Sequence, residues 1–410
     1  MGLIVQKYGG TSVADAERIK RVAAHICETR DAGNDVVVVV SAMGKTTDEL
    51  IRLAHQVSRQ PPSKREFDML LSTGEQVSIA LLAMAIHDLG KDAVSLTGQQ
   101  VGIKTDARHS QAKIIDVGKE RIHRALAENQ IVIVAGFQGV NEEAEITTLG
   151  RGGSDTTAVA LAAVLKADIC EIFTDVEGVF TADPRLVPTA RKLKWISYDE
   201  MLELASLGAG VLVNRAVEFA KKYQVPVAVR SSFTFGTGTM VIEETDNMES
   251  EVIRGVTFDK SEAKMSLLDV PNVPGIAGRI FGALAQENIN VDMIIQGARE
   301  GDCSDISFTV SKDDLDRAAA AAEKIRLDLG ASQVLVGRDI AKISVVGIGM
   351  KAHCGVAAKM FQALAEAGIN IQMISTSEIK ISCVVSEEQA AQAVAVLHKT
   401  FELEQSGSVT

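Results

Sequence analysis

Apolar and polar positions alternate in blocks along the first 243 residues. Val36–Ser41 is a nearly continuous apolar run, as a strand buried on both faces requires, and Ala93–Leu96, Ile131–Ala135, Cys170–Thr174 and Val225–Val229 repeat it. Between these runs the spacing predicts helices over 15–28, 66–89, 114–128, 156–165 and 198–207. Strand–helix alternation over such a length predicts an α/β class, with a mainly parallel sheet sandwiched by helices. The turn-rich stretch 233–239 and the polar stretch 243–247 place a domain boundary near 243.

A second pattern follows. Pro274-Gly275-Ile276-Ala277 and Ile289-Asn290-Val291-Asp292-Met293-Ile294 recur as Cys354-Gly355-Val356-Ala357 and Ile369-Asn370-Ile371-Gln372-Met373-Ile374. The first copy reads strand (265–270), helix (275–287), strand (291–296), strand (305–310), helix (315–329), strand (333–336), the ferredoxin-like βαββαβ order. The second copy (343–346, a helix, 371–375, 379–385, 388–401) lacks a last strand, because 402–410 has no strand pattern. The run 252–258 is a strand without a partner. Strand counting therefore predicts a first unit at 264–337 inserted into a second made of 250–263 and 338–410, behind a domain at 1–243.

Composition narrows the class. A length of 410 residues accommodates several domains, and 46% hydrophobic residues suffice for real cores. The net charge of −12, with no basic run, argues against a nucleic-acid partner. The five cysteines (Cys27, Cys170, Cys303, Cys354, Cys383) show no metal spacing and fit a reducing compartment. No apolar run approaches the length of a membrane span. The N-terminus lacks the basic region of a signal peptide, and Gln6 does not fit a myristoylation signal. A cytoplasmic chain without a membrane partner is expected.

Candidate chemistry sits where strands end. Lys7-Tyr8-Gly9-Gly10-Thr11-Ser12 joins the first strand to the first helix, so glycines and helix-start N–H groups could face an anion beside a lysine. The lysine precedes the glycines, unlike a Walker loop, and a plain tight turn fits this segment equally. Gly150-Arg151-Gly152-Gly153-Ser154-Asp155 starts another helix; the arginine suits a carboxylate or phosphate, and an N-cap with incidental charge is the alternative. The loop 174–185 follows a buried strand at the edge where α/β sheets bind ligands, or is an ordinary surface loop. Glu75, early in an apolar helix, could hold an ammonium or complement the helix dipole. Ser41-Ala42-Met43-Gly44-Lys45-Thr46-Thr47 brings hydroxyls to another strand end. The seven histidines show neither metal spacing nor a hydrolase triad.

Together these motifs resemble the aspartate kinases of the amino acid kinase superfamily, and the resemblance covers essentially the whole chain. It implies phosphoryl transfer from ATP to the side-chain carboxylate of L-aspartate, toward lysine, threonine and methionine, with Mg²⁺ on the phosphates. Carried over by motif, Lys7 and Asp155 are catalytic. Lys7, Tyr8, Gly9, Gly10, Ser41, Thr174, Asp175, Phe180, Asp183, Pro184 and Arg185 hold ATP, and Thr47, Glu75, Arg151, Gly152, Gly153 and Ser154 hold aspartate. The repeats resemble ACT domains, which bind amino acid effectors. Lysine, threonine or both are expected at Asn272, Gly275, Asp292, Met293, Ile294 and Gln296, across an interface in a homo-oligomer or with a regulatory subunit. Met248, at the domain boundary, could start such a subunit separately. The chain departs from the family pattern at Gly210 (often lysine), Cys354 (usually proline) and Asn272 (often aspartate). Two other readings compete: a kinase of glutamate-type substrates, and a non-catalytic amino acid sensor.

Overall fold

A computed structural model describes residues 2–58, 60–206, 211–244, 252–298 and 303–404. Gly210 and Met248 lie outside the described residues. The chain divides into two units, Met1–Val179 with Lys192–Ser206 and Gly210–Asp246, and Phe180–Arg191 with Leu207–Ala209 and Asn247–Thr410.

In the first unit the described residues form an eight-stranded sheet. Its order is Trp195–Ser197, Thr239–Ile242, Val227–Ser231, Ile169–Thr174, Leu3–Tyr8, Asp35–Val40, Ile131–Ala135, Ala93–Leu96. All its pairs are parallel except Val227–Ser231 with Thr239–Ile242. The strand Leu3–Tyr8 is central, so Lys7 reaches the carboxyl edge with a neighbour on either side. Val36 to Val40 are all fully buried, which explains the unbroken apolar run. Val36, Val38, Ile131 and Ile133 share one core cluster with Ile19 and Val22 of the helix Ala16–Asp31 and with Ile79, Leu82 and Ile86 of Thr73–Asp88. That first helix starts where Asp15 accepts a hydrogen bond from the Arg18 N–H at 2.9 Å.

Three expectations change. The stretch 66–89 is two helices, Lys64–Leu71 and Thr73–Asp88, meeting at Ser72, whose hydroxyl donates back to the Met69 carbonyl. Within 114–128 only Glu120–Ala127 is helical. Ile114–Val117 is a strand that pairs with Ile103–Thr105 in a second, four-stranded sheet with Gln138–Val140 and Ile146–Thr148. The helix Thr46–Val57 is additional. Taken as one stretch, Lys64–Asp88 is long and apolar enough to cross a membrane by length and composition, yet half of its apolar window is buried inside the unit. Its second helix gives Ile79, Leu82 and Ile86 to the core of the unit.

The second unit carries two four-stranded sheets. One has the order Val291–Ala298, Cys303–Ser311, Glu262–Pro271, Gln333–Gly337, and the other Gly255–Asp259, Ile340–Val346, Lys380–Ser386, Met373–Thr376. Each packs on two helices, Ile276–Gln286 with Leu315–Leu329 and Val356–Glu366 with Ala390–Thr400. Gly255–Asp259 pairs antiparallel with Ile340–Val346, in the place that Gln333–Gly337 takes beside Glu262–Pro271. Lys312 and Glu387 each open a short 3₁₀ turn directly after a strand of their copy. The two side chains form an ion pair at 2.9 Å. Lys342, 3% exposed, is also paired with both Glu262 and Asp292. Burial opposes the charge on this lysine, but the two carboxylates outweigh it and raise its pKa.

Candidate active site

The carboxyl ends of Leu3–Tyr8 and Asp35–Val40 and the start of the helix Gly153–Leu165 converge on one cleft of about 730 Å³. Its walls include Lys7, Gly9, Gly10, Ser41, Thr47 and Glu75, and the whole run Gly150 to Asp155. Lys7 Nζ lies 2.6 Å from Asp155 Oδ1, and both side chains are about nine-tenths buried. Asp155 sits in the first turn of its helix, where the dipole favours its charge. The ammonium of Lys7 is thereby held at one point, facing the glycine loop.

Gly152 is required at the helix start. Its φ of +68° is left-handed, and a Cβ there would stand 2.1 Å from Val213 Cγ1. Arg151, one residue earlier, is exposed to the cleft and has no ion pair or hydrogen bond among the described residues.

Glu75 is only 3% exposed. Its Oε1 accepts the Ala42 N–H at 3.2 Å, while Oε2 is buried without a hydrogen-bond partner. Burial pushes this carboxyl up to about 7, against backbone N–H donors that lower it. A buried carboxylate oxygen facing a cleft without a donor suits a cationic ligand.

Other expected residues lie differently. The side chain of Tyr8 is in the core, stacked on Phe173 with centroids 4.7 Å apart, so only its backbone belongs to the loop. Thr174 ends the strand next to Lys7, and its carbonyl accepts the Ser232 N–H at 2.9 Å. Asp175 follows it and is exposed. Phe180, Asp183, Pro184 and Arg185 do not line this cleft, because the segment Phe180–Arg191 folds with the second unit. Ala182 and Val187 join the core there beside Val256, Ile343 and Leu397. Arg185 pairs with Asp183 at 2.7 Å and, through that hydrogen bond, holds its carboxyl below the usual carboxylate range. Conversely Ser110, Gln111, Phe137 and Thr148 line the cleft, and no motif marked them.

The expected effector residues gather around Val291–Ala298, an edge strand of its sheet. Asn272 and Gly275 are exposed at the turn before Ile276–Gln286. Ile294 is 52% exposed, while Met293 is buried with Ile340, Met373 and Val384. Gln296 is exposed, with Nε2 3.5 Å from Ser304 Oγ. Burial opposes the charge of Asp292, but its bond to Lys342 prevails and lowers its pKa, so this carboxylate is already engaged.

Residues 2–231 match the profile of the Amino acid kinase family, and residues 269–324 and 343–401 that of the ACT domain. An aspartokinase of Mycolicibacterium smegmatis is 54% identical over 408 residues, spanning 98% of this chain and 97% of its own. One from Geobacillus stearothermophilus is 55% identical over 403 residues, 98% of each. E. coli aspartokinase III in complex with aspartate and ADP, an R-state, superposes with a TM-score of 0.81 at 27% identity over 97% of this chain and 99% of that one. Its T-state complex with lysine and aspartate gives a TM-score of 0.76 over the same shares of the two chains.

Proposed function

Since the chain belongs to the aspartate kinases of the amino acid kinase family, with ACT domains, we propose that Lys7, Asp155, Glu75 and Arg151 divide the work of carboxyl phosphorylation. The reaction moves the γ-phosphoryl group of ATP onto the side-chain carboxylate of L-aspartate, giving 4-phospho-L-aspartate. The acceptor needs no general base, because a carboxylate with a pKa of about 3.9 is already ionised at neutral pH. It needs alignment, and positive charge where the phosphoryl oxygens pass.

The observation that carries this reading is the pairing of one unsatisfied buried anion with one unpartnered cation in a single cleft. Glu75 Oε2 accepts from the α-ammonium of the substrate, and Arg151 grips its α-carboxylate bidentately. Thr47 and the helix start Gly152-Gly153-Ser154 complete the hold, leaving the side-chain carboxylate directed at Lys7. Lys7, oriented by Asp155, stabilises the transferring group with the N–H groups of Gly9 and Gly10. Ser41, Thr174 and Asp175 border the nucleotide at the carboxyl edge of the sheet. Among the described residues no cluster of three or more His, Cys, Asp or Glu could cage a metal. Mg²⁺ brought in with ATP would supply charge neutralisation on the phosphates.

Arg151→Ala is expected to raise the KM for aspartate by roughly 10- to 100-fold, the value of a charge-assisted contact, with the KM for ATP unchanged. Steady-state ADP release with each substrate varied in turn tests it. A shift in the ATP constant alone would exchange the two sites. A panel of aspartate, glutamate and acetylglutamate decides substrate class, and turnover with aspartate removes the sensor reading.

The second unit is read as two ACT domains, 264–337 inserted between 250–263 and 338–410, behind a kinase domain at 1–243. The ladder between Gly255–Asp259 and Ile340–Val346 supports that division. Lysine, threonine or both bind at the edge strand Val291–Ala298, across an interface between chains, with Gln296 as the polar contact. Such an effector must prefer an inactive state to an active one. Gln296→Ala is expected to weaken inhibition about 5-fold or more without changing uninhibited kcat, read from inhibition curves with each amino acid. Unaltered curves would move the effector elsewhere. The cytoplasm is the compartment we assign, in keeping with free cysteines.

A further inference from the structure

We infer that Asp68 is a positioning residue for the aspartate half of the cleft, an inference that rests on the aspartate-kinase reading above. Asp68 lies on the helix Lys64–Leu71 and has no solvent exposure. Among the described residues it pairs with no lysine or arginine; five donors surround it instead. Oδ2 accepts the Ser110 N–H at 2.8 Å and the Thr148 N–H at 3.0 Å. Oδ1 accepts the Thr148 hydroxyl at 2.6 Å and the Ser110 hydroxyl at 3.2 Å. His109 Nδ1 lies 3.0 Å from Oδ2, and its Nε2 faces Glu145 Oε2 at 3.3 Å.

These contacts are directed at the cleft wall. Ser110 and Thr148 both line it, with Gln111 between Ser110 and the strand that follows. Ser110 has φ +68°, a conformation costly for a residue with a side chain, so something must hold it there. Asp68 bonds both its N–H and its hydroxyl. The Ala112 N–H in turn donates to the Thr148 carbonyl at 2.9 Å, closing the loop onto the strand Ile146–Thr148. Thr148 leads through Leu149 and Gly150 into Arg151. Gly150 packs so closely on the loop that a Cβ there would stand 3.1 Å from the Ser110 carbonyl oxygen. One buried carboxylate thus sets the backbone from which the Arg151 guanidinium projects. It touches neither substrate, and Lys7 and the glycine loop at Gly9 make no contact with it.

The geometry predicts a split between substrates. In the full-length protein, Asp68→Asn keeps the volume but puts an amide N–H₂ against donors. It should raise the KM for aspartate on the order of 10- to 100-fold, as misplacement of a binding group does, with the KM for ATP within about twofold of wild type. Ser110→Ala and Thr148→Val remove one donor each and should shift the aspartate constant in the same direction by less. They carry the test should Asp68→Asn not fold, as judged by thermal unfolding. An unchanged KM for aspartate, or equal shifts in both constants, would overturn the inference. Wild-type protein without aspartate-dependent ADP release would instead bring down the reading beneath it, and the inference with it.

Discussion

Replacing Lys7 with alanine is expected to lower kcat by on the order of 10²–10³, with aspartate binding retained. Lys7 is the cation fixed at the end of the central strand, 2.6 Å from Asp155 and facing Gly9 and Gly10. In the ground state both carboxylate and phosphate are already charged. The extra demand arises as charge spreads over the transferring oxygens, and a preoriented ammonium meets it without reorganising. The alanine variant also leaves Asp155 as a buried anion without its partner, which costs roughly 3–5 kcal/mol of stability. A double variant with Asp155→Asn relieves that strain on folding but restores no rate. Stopped assays on both variants, checked by circular dichroism, separate the two effects. Turnover near wild type in a folded Lys7→Ala protein would remove Lys7 from catalysis.

Glu75→Gln should act in opposite directions on binding and on stability. Loss of the buried charge opposite the substrate ammonium is expected to raise the KM for aspartate by on the order of 10²-fold. For the empty protein the sign reverses. Burial carries the Glu75 carboxyl from its ordinary 4.5 up to about 7. Between those values the unfolded chain has released this proton and the folded chain has not. Stability from this group therefore falls as pH rises across that window and is level above it. The glutamine variant lacks the penalty, so its Tm at pH 8 should exceed that of wild type, by at most about 3 kcal/mol in free energy. In wild type the KM for aspartate should rise as pH drops below about 7, where Glu75 gains a proton. Denaturation scans at pH 5 and pH 8, with kinetics at the same values, decide the matter. No gain in Tm together with an unchanged KM would mean that Glu75 is not ionised for binding.

Much of this was legible in the sequence where the signal was local. The run Val36–Val40 has one reading because every residue is apolar, and it is buried on both faces. The glycine-rich segments at 9–10 and 150–153 announce helix starts, and both line the cleft. The repeat exposed the order of the ACT strands, because matching residues recur at matching places. What escaped depends on distant partners. Ile114–Val117 has no strand alternation of its own and becomes a strand by pairing with Ile103–Thr105. Ser110 and Thr148 look like ordinary loop and strand residues until Asp68, far away in the chain, gathers them. Within the segment after Thr174, Ala182 and Val187 are core residues of the second unit, which nothing local in the sequence marks.

The ion pair between Lys312 and Glu387 bears on how the two repeats recognise each other. The two residues hold equivalent places, each opening the 3₁₀ turn after a strand of its own copy. Two identical copies meeting in this way would set lysine against lysine or glutamate against glutamate. A half-exposed pair of this kind contributes little by itself, but the like-charge alternatives lose that and add repulsion. The two repeats therefore carry opposite charges at the point where they meet. At this contact each copy is the complement of its sister rather than a replica of it.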